Sequence, residues 1–273
     1  MTEVRAPVIV EASLDNLRSD DVRFLEEAAA LGPLHVRVPS DALVAQVTGA
    51  APRFPAAERT FLAESIRWVA RAEVVERPVA RELDRLAAGG ATLVVRAEDE
   101  DPTVWAAARA LGVPYGVVPR TARAGFPVAD PAPSLPERPR VVVSGCFDWL
   151  HSGHVRFFMD AAALGELYVV VGSDTNVALL KGPGHPLQGQ EERRYMVGAV
   201  RSVHRGLVSS GTGWMDAEPE IDAIAPHAFV VNEDGDQPEK RDFCRARGIE
   251  YVVLERRPHE GLPRRTSTDL RGF

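Results

Sequence analysis

The chain has 273 residues, 45% hydrophobic and 26% charged, enough for one large or two modest globular domains with real cores. Its net charge of −7 argues against a general nucleic-acid binder, which carries a basic stripe, while local basic residues still admit a small phosphorylated substrate. The two cysteines, Cys146 and Cys244, give no disulfide framework, the start MTEVRAPVIVEASL lacks an apolar leader region, and no apolar run is long enough to span a bilayer. The expected address is the cytoplasm, with neither membrane nor nucleic acid as a partner.

Along the chain, the first half holds short apolar strands such as TLVV and YGVV. From Phe126 to Arg140 it reads FPVADPAPSLPERPR, with Pro127, Pro131, Pro133, Pro136 and Pro139. Proline this dense cannot continue a helix or a central strand, so a semi-rigid extended linker is expected over residues 127–139. It separates residues 1–126 from residues 140–273. In the second half RVVVS reads as a strand, Val155 to Leu164 as a helix, and Gly165 as a helix stop before the strand LYVVVG. Glu191 to Val200 reads as a helix, AFVV as a strand, Pro238 to Arg247 as a helix and EYVVL as a final strand. Strands alternating with helices predict an α/β fold, a parallel sheet covered on both faces.

The two halves are similar to each other. LRSDDVRFLEEAAALGPLHVRVPSDALVA, from Leu17, lies over LHSGHVRFFMDAAALGELYVVVGSDTNVA, from Leu150. ERTFLAESIRWV from Glu58 matches ERRYMVGAVRSV from Glu192, ATLVVRAEDEDP from Ala91 matches HAFVVNEDGDQP from His227, and ALGVPYGVVPR from Ala110 matches ARGIEYVVLER from Ala246. The offset drifts only from roughly 133 to 136 residues, so the whole unit is written twice.

One segment carries chemistry. SGCFDWLHSGH, from Ser144 to His154, stands where the first strand of the second half hands over to its helix, and parallel sheets bind ligands at the carboxyl ends of their strands. Gly145 would let the backbone approach a phosphate, and the helix N-terminus offers free N–H groups and a positive dipole end. His151 and His154, three residues apart around Gly153, can converge on one anionic group and donate to its oxygens as charge develops. The bland alternative, in which one histidine caps the turn and the other packs on it, stands against the Gly-x-Phe-Asp prefix and the position after the strand. A zinc site is disfavoured because no third ligand is near.

GCFDWLHSGH resembles the G-x-F-D-x-x-H-x-G-H signature of cytidylyltransferases and related nucleotidyltransferases, and the resemblance covers essentially all of Arg140 to Arg271. It implies a Rossmann-like fold and attack of a phosphorylated acceptor on the α-phosphate of a nucleoside triphosphate. Pyrophosphate leaves, Mg²⁺ or another divalent cation travels mainly with the nucleotide, and no covalent enzyme intermediate forms. It makes His151 and His154 the catalytic pair and Lys181, in LLKGPGHPL, the family lysine, with a solvated surface lysine as the alternative. Gly145, Cys146, Phe147, Asp148 and Gly153 become the nucleotide-binding stretch, Cys146 by packing. RPHEGLPRRTSTDLR is similar to the family's R-T-x-G-I-S-T-T segment, which holds the β- and γ-phosphates. Thr266, Ser267 and Thr268 would serve there with Arg265 or Arg264, and Arg257 is the third candidate. VVNEDGDQ stands where the family has Gly-Asp-Asp or Gly-Asp-Asn, so Asp234 or Asp236 would lie near the base. Asp174 and Arg193 resemble two further family positions. Both have partners in the first half, Asp41 and Arg59, so a turn, a cap or a structural ion pair competes with acceptor binding.

The first half lacks the site. Arg18 stands opposite His151, Asp20 opposite Gly153, Asp21 opposite His154, Ala12 opposite Gly145, Thr48 opposite Lys181, and Asp130 near Thr266. Aspartates would repel a triphosphate, so this half is expected not to catalyse. The fold class expected is two tandem Rossmann-like units with parallel sheets forming a pseudodimer within a monomer, a homodimer remaining open. The function expected is transfer of CMP from CTP to a small phosphorylated or phosphonate acceptor. ATP as donor, or a non-catalytic nucleotide-binding regulator, is the alternative.

Overall fold

The computed structural model describes residues 5–129 and 137–266. The chain divides into two compact units, Met1–Gly125 and Phe126–Phe273. In the first, β1 (Val8–Glu11), α1 (Ser19–Ala29), β2 (Leu34–Pro39), α2 (Asp41–Thr48), α3 (Ala56–Ser65) and β3 (Val69–Val75) are followed by α4 (Leu83–Ala88), β4 (Thr92–Arg96), α5 (Pro102–Ala110) and β5 (Tyr115–Val118). The second repeats the plan. β6 (Arg140–Gly145), α6 (Ser152–Ala162), β7 (Glu166–Val171), α7 (Asp174–Lys181), α8 (Gln190–Gly198) and β8 (Val203–Val208) precede α9 (Glu218–Ile224), β9 (Ala228–Asn232), α10 (Pro238–Arg247) and β10 (Glu250–Leu254).

Each unit forms a five-stranded, all-parallel sheet, ordered β3-β2-β1-β4-β5 and β10-β9-β6-β7-β8. The architecture is α/β and Rossmann-like, in two tandem units. The central strand β6 shows why: Val141, Val142 and Val143 are all fully buried, as a strand covered on both faces requires. On one face Val142, Val170, Phe229, Ile221, Met215 and Cys244 form a single apolar cluster. The chain leaves β6 toward β7 on one side and returns to β9 on the other. The loops after β6 and β9 therefore flank the point where strand order reverses, the usual crevice for a ligand.

Two elements depart from the expected bounds for physical reasons. Helix α6 begins at Ser152 rather than Val155, because the His151 side chain caps it. Strand β8, VHRGLV, was not expected; it lies at the sheet edge, where Arg205 and Gly206 dilute the apolar pattern without harm. Among the described residues no helix is long and apolar enough to cross a membrane.

Candidate active site

His151 is the N-cap of α6 and is buried, 1% exposed. Its Nδ1 accepts the backbone N–H groups of Gly153 (3.1 Å) and His154 (3.4 Å). A neutral imidazole accepting at Nδ1 carries its proton on Nε2, so the ring presents a donor on its other side. His154 stacks on it, ring centroids 3.9 Å apart at 21°. Gly153 makes this fit: a Cβ there would stand 3.0 Å from the His151 ring and 3.3 Å from the Arg265 carbonyl oxygen. Burial, then the neighbouring His154, Arg256 and Arg265, hold the His151 pKa well below the ordinary histidine value. Burial, and next the Arg256 charge, push His154 down to about 4, with the Trp149 backbone pulling the other way. Near neutral pH the pair is uncharged.

The turn before α6 is more structural than expected. The space beside Gly145 is not left open for a phosphate: a Cβ there would meet the Phe147 ring at 3.0 Å. Phe147 sits at φ 48°, in the left-handed region, and packs edge-on against His154 and Phe158. Asp148, expected near the nucleotide, ties down the loop before α8; its carboxylate accepts from the N–H groups of Leu187 (2.8 Å) and Gln188 (2.9 Å) and faces His185 at 3.6 Å. Lys181 is the exposed last residue of α7, and its charge acts on the Cys146 thiol, partly offsetting the effect of burial. Burial raises the pKa of that thiol, which suits a packed neutral group.

Arg193 and Asp174 form a structural clamp rather than a face toward an acceptor. Arg193 is fully buried and donates to the carbonyls of Gln188, Cys146 and Gly172 and to Asp174 Oδ1, at 2.7–2.9 Å. Arg59 repeats the set in the first unit, donating to the carbonyls of Phe54, Ser13 and Pro39 and to Asp41. The N-cap of α7 is Ser173, not Asp174, as Ser40 is for α2. Asp15 likewise mirrors Asp148, accepting from Arg53 and Phe54.

On the β9 side, Asp234 pairs with Arg256, whose Nη2 donates to the Arg265 carbonyl at 3.1 Å. This places Arg256 beside the histidines, whose pKa values it lowers. Sequence reasoning weighed Arg257, Arg264 and Arg265 and missed Arg256. Arg257 faces Asp160 on α6 at 3.5 Å and is largely exposed, and Arg264 is exposed. Asp236 pairs with Arg241 on α10, away from the pair that Asp234 makes. Arg265 and Thr266 are half-buried; Ser267 and Thr268 lie outside the described residues. The signal for Arg256 was its place two residues past the end of β10, at the carboxyl edge of the sheet.

In the first unit the same positions carry opposite chemistry. The Arg18 N–H donates to Asp21, Arg96 pairs with Asp21 at 2.5 Å, and Arg123, 1% exposed, binds both Asp20 and Glu98. Asp130 lies outside the described residues.

A Rossmann-like sheet with a His-x-Gly-His helix start at its switch point defines a nucleotidyltransferase type of domain. The cytidylyltransferase-like family matches residues 142–271, and the chain belongs to that family. It is 36% identical over 118 residues to FAD synthase of Aciduliprofundum boonei, covering 42% of this chain and 76% of that protein. It is 42% identical over 95 residues to the bifunctional protein HldE of Methylococcus capsulatus, covering 34% of this chain and 20% of HldE. A lipopolysaccharide core biosynthesis protein from Thermoplasma volcanium, of known structure, is 21% identical with a TM-score of 0.38, covering 45% of this chain and 99% of that one.

Proposed function

We propose that the second unit transfers a nucleotidyl group from a nucleoside triphosphate to a small phosphorylated or phosphonate acceptor. An acceptor oxygen attacks the α-phosphorus, the bond to the bridging oxygen of the β-phosphate breaks, and pyrophosphate leaves with that electron pair. The observation carrying this reading is the stacked, neutral His151–His154 pair at the start of α6. The Nε2–H of His151 donates to a non-bridging oxygen as negative charge grows there, with no proton to be moved first. His154 stands beside it in the same role. Lys181, Arg256 and Arg265 supply positive charge around the triphosphate, and the hydroxyl of Thr266 adds a donor. Among the described residues no group of three or more His, Cys, Asp or Glu side chains is arranged to hold a metal ion. A divalent cation would come with the triphosphate, where it neutralises phosphate charge.

The donor is CTP on the resemblance of the motif. ATP is the second reading, favoured by the similarity to a protein named FAD synthase, whose product contains an adenylyl group. The first unit, with aspartates opposite Gly153 and His154, takes no part in the chemistry. The test is pyrophosphate release with each of the four nucleoside triphosphates against phosphorylated alcohols, sugars, phosphonates and a flavin phosphate. Release with one donor–acceptor pair, lost in His154→Ala, is the expected result. No release from any pairing by a folded sample would favour a non-catalytic nucleotide-binding protein.

A further inference from the structure

Helices α5 and α10 occupy the same place in the two units, Pro102 aligning with Pro238 and Gly112 with Gly248. Their outer faces differ. On α10 that face is charged and its charges are answered: Arg241 pairs with Asp236, Arg245 with Asp242, and Arg247 with Glu218 and Asp222. On α5 the aligned positions carry Trp105 for Arg241, Ala106 for Asp242 and Leu111 for Arg247, and Arg109 stands opposite Arg245. These apolar residues have not been drawn into a core. The helix sits on its own sheet through Val104, Ala107 and Ala108, while Trp105 is 41% and Leu111 42% exposed. The apolar face continues onto the edge strand β5, where Val117, on the same side of the sheet as Tyr115, is also exposed. The fold itself does not call for them, because the second unit has the same fold with arginines in their place.

The placement of charge on this face identifies what covers it. Exposed Asp99, Glu100 and Asp101 stand at the start of α5, with Asp101 its N-cap. Exposed Arg109 stands near its end, the guanidinium lying 5.4 Å from the centre of the Trp105 ring. Trp105 is midway between the acids and the arginine, about 6 Å along the axis from each. A second α5 laid antiparallel across Trp105 brings Arg109 of each copy to Glu100 and Asp101 of the other; a parallel one sets like charges together. We infer that this face is where two copies of the chain pair, about a two-fold axis passing at Trp105. One short helix and a strand edge bury less than the roughly 800 Å² per partner of a standard interface, so the pair is weak, with a Kd on the order of 100 µM. The pairing is independent of the reaction proposed for the second unit.

The experiment is sedimentation equilibrium of the full chain from about 5 to about 500 µM, a range that brackets such a Kd. The weight-average mass should rise from that of one copy toward that of two. Trp105→Glu, a substitution at an exposed position, should raise the Kd about tenfold or more, the loss expected for an aromatic anchor at the centre of an interface. Arg109→Glu should weaken pairing severalfold, and adding Glu100→Arg to it should restore pairing, as only the antiparallel arrangement permits. A single-copy mass at every concentration, self-association unmoved by Trp105→Glu, or no rescue by the second charge reversal would each overturn the proposal.

Discussion

The N-termini of α1 and α6 occupy the same place in two copies of one fold, and they have opposite electrostatic solutions. At α6 two neutral imidazoles and nearby arginines present donors and positive charge to the helix start. At α1 the arginines are present too, yet Arg96 and Arg123 are answered by Asp21, Asp20 and Glu98 from the chain itself. One copy leaves positive charge for a ligand; the other supplies carboxylates where a triphosphate would sit. What both copies keep is equally informative. The buried arginine clamp, the aspartate that ties down the following loop, the serine caps and the left-handed residue, Leu14 or Phe147, are held in common. Features shared by a copy without the histidines belong to the scaffold, and the strain at Phe147 is among them.

Four measurements would break or sharpen this comparison. The largest effect is expected at the clamps. Arg193→Met and Arg59→Met should each lower unfolding free energy by roughly 3–5 kcal/mol in denaturant titrations, because each leaves three carbonyls without their donor, the half-exposed carboxylates of Asp174 and Asp41 adding little. If only one copy responds, the clamps are not equivalent. Next, His151→Ala or His154→Ala should reduce kcat about 10²- to 10³-fold with the best donor and acceptor found, as loss of a transition-state donor does. The reverse change at the twin position, Asp21→His, should leave the rate untouched. Third, Arg256→Ala should reduce kcat/KM by about tenfold or more, the scale of a charge-assisted contact, whereas Arg257→Ala should change it less than about twofold. Equal losses would mean that the Asp234–Arg256 pair is not the relevant one.

The most gradual effect is a pH slope. His154 has a folded pKa of about 4, below the ordinary 6.5, so between those values the unfolded chain binds more protons. Stability should fall as pH drops from about 6.5 toward 4, by up to about 1.4 kcal/mol per pH unit from this histidine, and be insensitive to it above that window. His154→Gln should flatten that slope in thermal melts. An unchanged slope would show that the ring is better solvated than its packing suggests.

The sheets and the histidine pair were legible because both are local patterns: β-branched runs, and two rings three residues apart beside a glycine. Arg193 was half-legible, since its twin Arg59 had already hinted at a scaffold role. The loop-holding role of Asp148 was not legible, because its partners are backbone N–H groups 39 and 40 residues away, which leave no mark in residue type. Arg256 and Arg257 are chemically identical neighbours, and only the exit direction of β10 and the distant Asp234 distinguish them. Strand β8 escaped because an edge position tolerates an arginine and a glycine that a central strand would not.

The arginine clamps also bear on how the chain is made. Every partner of Arg59, from Ser13 to Phe54, precedes it in sequence, and every partner of Arg193, from Cys146 to Gln188, precedes that residue. As synthesis proceeds from the N-terminus, each clamp has all its components as soon as its own arginine has left the ribosome, before the last three strands of that unit have emerged. The buried guanidinium is thus a closing step for a two-stranded nucleus, taken twice along one nascent polypeptide.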